Sequence, residues 1–155
     1  MERRFDLMKE TILQLLASFI GSAGFALLFQ IRLKLLPWAS MGGALTWGVY
    51  LLLSEGLKLG PFTANLVAAA FGALLAEFSA RIWKVPSTLF FLPAVVSLIP
   101  GSTLYYTMYA LAANQYEDAS FYAGQTGYCA MGIAIGISLI WAVFKISTSI
   151  RTSRR

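Results

Sequence analysis

Five apolar stretches, each about the length of a bilayer span and joined by short links, leave this chain few folds to choose from. They run from Thr11 to Phe29, Trp38 to Leu53, Phe62 to Phe78, Thr88 to Ala113 and Ala123 to Phe144. A membrane-crossing helix needs roughly 17–25 mostly apolar residues, and its backbone polar groups must be paired inside the segment. Of the 155 residues 58% are hydrophobic and 12% charged, with a mean hydropathy of +0.69, so nothing is left over for a soluble domain. The expected fold is an all-α integral membrane protein of about five transmembrane helices, forming one domain over residues 1–155. Pro37 and Pro61 suit the first turns of the second and third helices, where a missing N–H costs nothing. The first segment runs into Phe29-Gln30-Ile31-Arg32 without a small-x-small cleavage site, so it reads as a retained helix rather than a signal peptide.

The fourth stretch is interrupted at Pro100-Gly101. Proline removes a donor and glycine tolerates unusual dihedrals, while Ser102 or Thr103 is placed to cap a new helix through Leu104 to Ala113. A break at membrane depth leaves backbone groups that protein, water or a solute must pair, and such broken helices mark substrate sites in secondary transporters. The N–H groups that open the second half, with their positive dipole end, favour an anion such as a carboxylate. Pro100, Gly101, Ser102 and Thr103 are therefore substrate-binding candidates, with Ser97 before the break and Tyr105 and Tyr106 after it as pocket walls.

Lysine and arginine counts give an orientation. With five spans, one side holds Arg32, Lys34, Arg81, Lys84, Lys145, Arg151, Arg154 and Arg155, and the other holds Arg3, Arg4, Lys9 and Lys58. Eight against four places the C-terminus in the cytoplasm. A re-entrant hairpin at the break gives the same charge split, but it scrambles the aromatic belts. Five spans put Trp38, Trp83 and Trp141 toward the cytoplasmic face and Tyr50, Tyr109, Tyr116 and Tyr122 toward the outer one. The basic tail, Arg151 to Arg155, is expected to meet anionic headgroups.

Polar groups within the spans are few. Glu77, with Arg81 one turn on, is the ionisable residue nearest a span interior and the candidate for ion or proton coupling; the alternative is an intrahelical pair at the interface. Asn65, Gln125 and Thr126 are further polar intramembrane candidates, each equally suited to bonding a neighbouring helix. Small residues recur every fourth position at Ser18, Ser22 and Ala26, at Ala68, Gly72 and Ala76, and at Gly132 and Gly136, a pattern for close packing in the bundle or, in the last helix, at a subunit interface. Cys129 reads as a packing residue. With no histidine, no paired-aspartate motif, no nucleophile elbow and no phosphate-cradling loop, nothing points to an enzyme, a metal site or a cofactor. The basic residues form no stripe suited to nucleic acid, so the expected surroundings are lipid and a small-molecule substrate.

The run Phe91-Leu92-Pro93-Ala94-Val95-Val96-Ser97-Leu98-Ile99-Pro100-Gly101-Ser102, followed by Tyr105 and Tyr106, resembles the proline-x6-proline-glycine signature of the threonine/serine exporter family. Gly24 to Phe29, Gly42-Gly43 and Pro86 agree with it. The chain looks like the smaller subunit of the split members, equivalent to the C-terminal membrane half of the single-chain ones. The resemblance implies export of threonine and serine, or of C4 dicarboxylates such as succinate, across the inner membrane, driven by an ion gradient and shared with a larger membrane subunit. Span parity adds that an oppositely inserted partner would complete an inverted-topology transporter. A scaffold subunit that stabilises a transporting partner, and a small homo-oligomeric channel, are the competing readings.

Overall fold

A computed structural model describes the backbone of residues 2–153 and the side chains of residues 8–146. Six α-helices follow one another: α1 Glu2–Leu28, α2 Leu36–Leu51, α3 Pro61–Trp83, α4 Thr88–Val96, α5 Gly101–Ala112 and α6 Tyr116–Ser153. A π-helical turn, Leu52–Gly56, prolongs α2 without a gap. Three helices are long and apolar enough to cross a membrane, and a fourth crossing is made if α4 and α5 count as one span bent by 53°. Exposed Leu13, Ile20, Leu28, Phe78 and Ile82 give the bundle the apolar outside that hydrocarbon requires. The side chains of Arg3, Arg4 and the Arg151 to Arg155 tail lie outside the described residues.

Helix ends follow local chemistry. Gln30, Lys84 and Asn114 take left-handed φ values of 55°, 52° and 57° just past α1, α3 and α5. This lets Ile31, Val85 and Gln115 donate back to the carbonyls of Ala26, Ala80 and Ala110, closing orphan acceptors in the manner of a Schellman cap. Pro37 and Pro61 stand in the first turns of α2 and α3, as their sequence positions predict.

The core is built from small residues because helices in lipid gain their contact from close backbone approach. Ala26, Ala39, Ala76 and Ala80 pack with Ile31, Leu35 and Phe90 at one end, and Ala68, Ala69 and Leu98 pack at mid-depth. All three small-residue stripes face neighbouring helices of this chain. A Cβ at Gly72 would lie 2.8 Å from the Thr46 hydroxyl of α2, and Cβ atoms at Gly132 and Gly136 would collide with the Phe62 and Leu66 carbonyls of α3. The Gly132–Gly136 pair is thus spent on the α3–α6 contact within the chain, which replaces the reading of it as a subunit interface.

Contacts along α6 show how the broken stretch runs. Phe91 of α4 meets Trp141 at 5.6 Å, Thr103 of α5 bonds Thr126, and Tyr106 stacks on Tyr122 at 5.4 Å. The chain therefore moves steadily toward the start of α6 instead of doubling back. Trp38 and Trp83 meet at 6.1 Å at the end where Arg81 lies 4.8 Å over the Phe144 ring.

Replacing Gly136 by Ala should overpack the α3–α6 seam, a change of about 1–3 kcal/mol. Thermal unfolding of the purified protein should show a lower Tm for Gly136→Ala, whereas Gly127→Ala, whose Cβ meets nothing within 4 Å, should leave it equal or higher. Equal Tm changes for the two would contradict this packing.

Candidate functional site

Where α4 stops at Val96, the Val95 and Val96 carbonyls accept from the Leu98 and Ile99 N–H groups just beyond it, and the Pro93 carbonyl is taken up by a side chain of another helix. Ser22 of α1, fully buried, donates to the Pro93 carbonyl at 2.9 Å. Between them passes Gly43 of α2, where an added Cβ would fall on the Ser22 side chain and 2.9 Å from the Pro93 carbonyl oxygen. Glycine is the residue this crossing admits. Its own carbonyl accepts from Ser18 of α1 at 3.2 Å and from Ser97 at 3.3 Å, and Ser97 also lies 3.4 Å from the Ala94 carbonyl. Three helices are therefore tied together by serine hydroxyls and carbonyl oxygens around one glycine.

Beside this junction lies a cavity of about 330 Å³, walled chiefly by Gln14, Ser18, Ser22, Trp47, Val96 and Ser97. Its volume falls at the small end of the range for small-molecule sites, about 300–1,000 Å³. The Trp47 indole, stacked on Tyr50 at 4.9 Å, has a buried Nε1–H with no acceptor among the described residues. A buried donor left unpaired costs roughly 1–3 kcal/mol; this N–H is closed off from the cavity that the rest of the residue helps to wall, and it meets a bound solute only if the indole turns. None of the described side chains lining the cavity carries a charge. A second cavity, of about 270 Å³, sits between α2 and α3 near Trp38 and Trp83, and apart from Ser79 its side chains are apolar.

The break has a different local chemistry from the one its sequence suggests. Ser102 and Thr103 do not cap α5. Pro100, at φ −76° and ψ 60°, makes an inverse γ-turn in which the Gly101 N–H donates to Ile99 O at 2.7 Å, so the helix begins at Gly101 and both residues fall in its first turn. The Thr103 hydroxyl donates to Pro100 O at 3.1 Å and accepts from Thr126 at 2.8 Å, a chain that fastens the start of α5 to α6. Gly101 and Ser102 are exposed, and the Ser102 and Thr103 N–H groups have no backbone acceptor among the described residues.

Of the sequence candidates, Ser97 alone lines the cavity. Tyr105 lies exposed on α5, and Tyr106, also largely exposed, stacks on Tyr122 of α6; among the described residues α5 packs only on α6. Thr126 serves the Thr103 link, and Gln125 is half-buried on α6 one residue earlier. Asn65 is buried and donates to Pro61 O at 2.8 Å within α3, against Gly132. Glu77 is half-buried and Arg81 exposed; no ion pair joins them among the described residues, and Arg81 lies over Phe144 instead. Gln14, Gly43 and Trp47 were not singled out as site residues by sequence. Ser18 and Ser22 were legible through their four-residue spacing, which points to packing and gives no sign of a cavity.

The family model described as Threonine/Serine exporter, ThrE, matches residues 14–143, a stretch that includes every residue lining the cavity and the whole of the broken helix. No solved structure matches the chain. The apolar helices, the interrupted span and this match together lead to one conclusion: the chain belongs to the threonine/serine exporter family.

Proposed function

We propose that this chain is a subunit of a secondary transporter that exports small hydroxylated amino acids, threonine and serine, across the inner (plasma) membrane, with the cavity among α1, α2 and α4 as its substrate site. The observation that carries the reading is that this cavity is uncharged and mostly apolar, with Gln14, Ser18, Ser22 and Ser97 as the few polar side chains in its wall. Turned toward the cavity, the unpaired Trp47 N–H would meet a substrate carboxylate, and the carbonyl end of α4 beside Ser97 suits an ammonium group, because a helix C-terminus carries partial negative charge. Such a lining favours a zwitterion over a C4 dicarboxylate such as succinate, whose second negative charge would have no cation beside it.

The rest of the path is proposed to be completed by the larger membrane subunit of the same exporter. Gly101 and Ser102 are exposed, and the Ser102 and Thr103 N–H groups that open α5 have no backbone acceptor among the described residues; placed inside an apolar span, they would find nothing in lipid to bond them. A partner helix seated there would cover them and let Pro100 to Thr103, Tyr105 and Tyr106 face the translocation path from the other side. Five spans with a cytoplasmic C-terminus fit the steady passage of α4 and α5 along α6 and the gathering of Trp38, Trp83 and Arg81 at one end.

Trp47→Phe keeps the aromatic ring and removes the donor. In cells lacking native exporters and carrying this chain with its larger partner, the variant should raise the KM for threonine efflux about tenfold, the value of one hydrogen bond to a charged group. An unchanged KM would move the substrate away from this cavity, and a complex that forms but exports nothing in the unaltered pair would support the scaffold reading. A reporter fused after Arg155 should be active in its cytoplasmic form; activity outside would reverse the orientation.

A further inference from the structure

The second cavity lies on the outside of the bundle and follows both of its helices. Trp38, Met41 and Leu45 wall it from α2 and Leu75, Phe78 and Ile82 from α3, each set one helical face over two turns. Seven residues of helix rise about 10 Å, so the cavity is a groove parallel to the helix axes. All six but Leu75 are exposed, which leaves the groove open sideways to lipid. Serines and threonines elsewhere in the helices return their hydroxyls to the carbonyl four residues back, as Ser40, Thr46, Thr107 and Ser138 do. The Ser79 hydroxyl makes no hydrogen bond among the described residues, and Ser79 is the polar side chain of this groove. Beyond the Trp38–Trp83 pair stand cations. Lys84 follows Trp83, and Arg32 and Lys34 precede α2; their neighbours Ile31, Leu35 and Val85 pack into one cluster with Ala80, which holds all three cations at this end of α3. They are exposed and form no ion pair among the described residues. No Asp or Glu occurs from Phe29 to Trp38 or from Phe78 to Thr88, and Glu77 does not line the groove.

We propose that this groove binds one anionic glycerophospholipid, with an acyl chain along Leu45, Met41 and Phe78, an ester carbonyl accepting from Ser79, and the phosphate among Arg32, Lys34 and Lys84. Along the groove the chain offers apolar wall, hydroxyl donor, tryptophans and cations in the order in which such a lipid presents hydrocarbon, ester and phosphate. Tryptophan belongs at that headgroup boundary. Width decides against a helix of another protein as the occupant. About 270 Å³ spread over about 10 Å leaves a channel about 6 Å across, whereas a helix with its side chains needs about 10–12 Å. An extended hydrocarbon chain fits where a helix does not. Three unpaired cations favour a headgroup of net negative charge, each contributing about fivefold in affinity. Gly42 lines the groove while its neighbour Gly43 sits in the serine junction, so the lipid braces the helix that carries the crossing.

The lipid site rests on the groove and its cations and stands apart from the transport reading above. The test is quenching of tryptophan by phospholipids brominated along their acyl chains, added to the detergent-purified full chain. Trp38 and Trp83 line the groove, so a Trp47→Phe/Trp141→Phe background confines the signal to them. Brominated phosphatidylglycerol should quench saturably, with a Kd at least tenfold below that of brominated phosphatidylcholine. Lys34→Gln/Lys84→Gln, at exposed positions that leave the core untouched, should weaken phosphatidylglycerol binding about thirtyfold and bring the two lipids close together. Ser79→Ala should weaken both lipids alike, by about fivefold. Equal Kd values for the two lipids, or quenching that rises without saturating, would overturn the site. Headgroup selectivity that survives the lysine pair would overturn the assignment of the cations, and loss of quenching when the larger subunit copurifies would make the groove a protein contact instead.

Discussion

The crossing at Gly43 is the contact on which the rest of the arrangement depends. Ser22 of α1 reaches past Gly43 of α2 to the Pro93 carbonyl of α4, and any side chain at position 43 would occupy the space that bond needs. In lipid no hydrophobic force presses helices together, so close backbone approach and interhelical hydrogen bonds must do so. Here both act at one point. The junction also fixes the cavity, because Ser18, Ser22 and Ser97 are at once its ties and part of its wall.

The interrupted span creates two helix ends of opposite sign. At the end of α4 the groups left over are carbonyls, of which Pro93 O accepts from Ser22 of α1 and Ala94 O from Ser97; at the start of α5 they are N–H groups with no backbone acceptor among the described residues. The inverse γ-turn at Pro100 and the Thr126–Thr103–Pro100 hydroxyl chain hold the second end in place without capping it. A single break therefore offers a cation-favouring face within the chain and an anion-favouring face toward whatever covers α5. An amino acid carries both charges, which is why this arrangement suits a zwitterion better than a dicarboxylate.

Much of the fold was legible in the sequence because hydrophobic runs and prolines act locally. The apolar stretches correspond to α1, α2 with its π-helical turn, α3, the α4–α5 pair and α6, and Pro37, Pro61 and Pro100 mark starts and a stop. Serine and glycine spacing announced the packing faces. The cavity was not legible, since it depends on bringing Ser18 and Ser22 to Ser97 across more than seventy residues. Trp47 gives no local sign either: in an apolar helix an indole reads as packing, and only its neighbours reveal a donor without an acceptor. The sequence drew attention to the N–H end of the break, where dipole arguments favour a carboxylate; the carbonyl end, which borders the cavity, is a matter of tertiary contact.

Gly21 lines the cavity and has open space where a side chain would project, so a cysteine fits there without disturbing the junction. The most direct measurement is the rate at which a thiol reagent modifies Gly21→Cys in the assembled exporter, in a Cys129→Ala background, with and without threonine. Tyr105→Cys on the outer face of α5 serves for comparison. If the cavity among α1, α2 and α4 holds the substrate, saturating threonine slows modification at position 21 at least severalfold and leaves position 105 less affected. Protection at position 105 with none at position 21 would contradict that claim and place the amino acid at the face of the broken helix that looks away from the bundle.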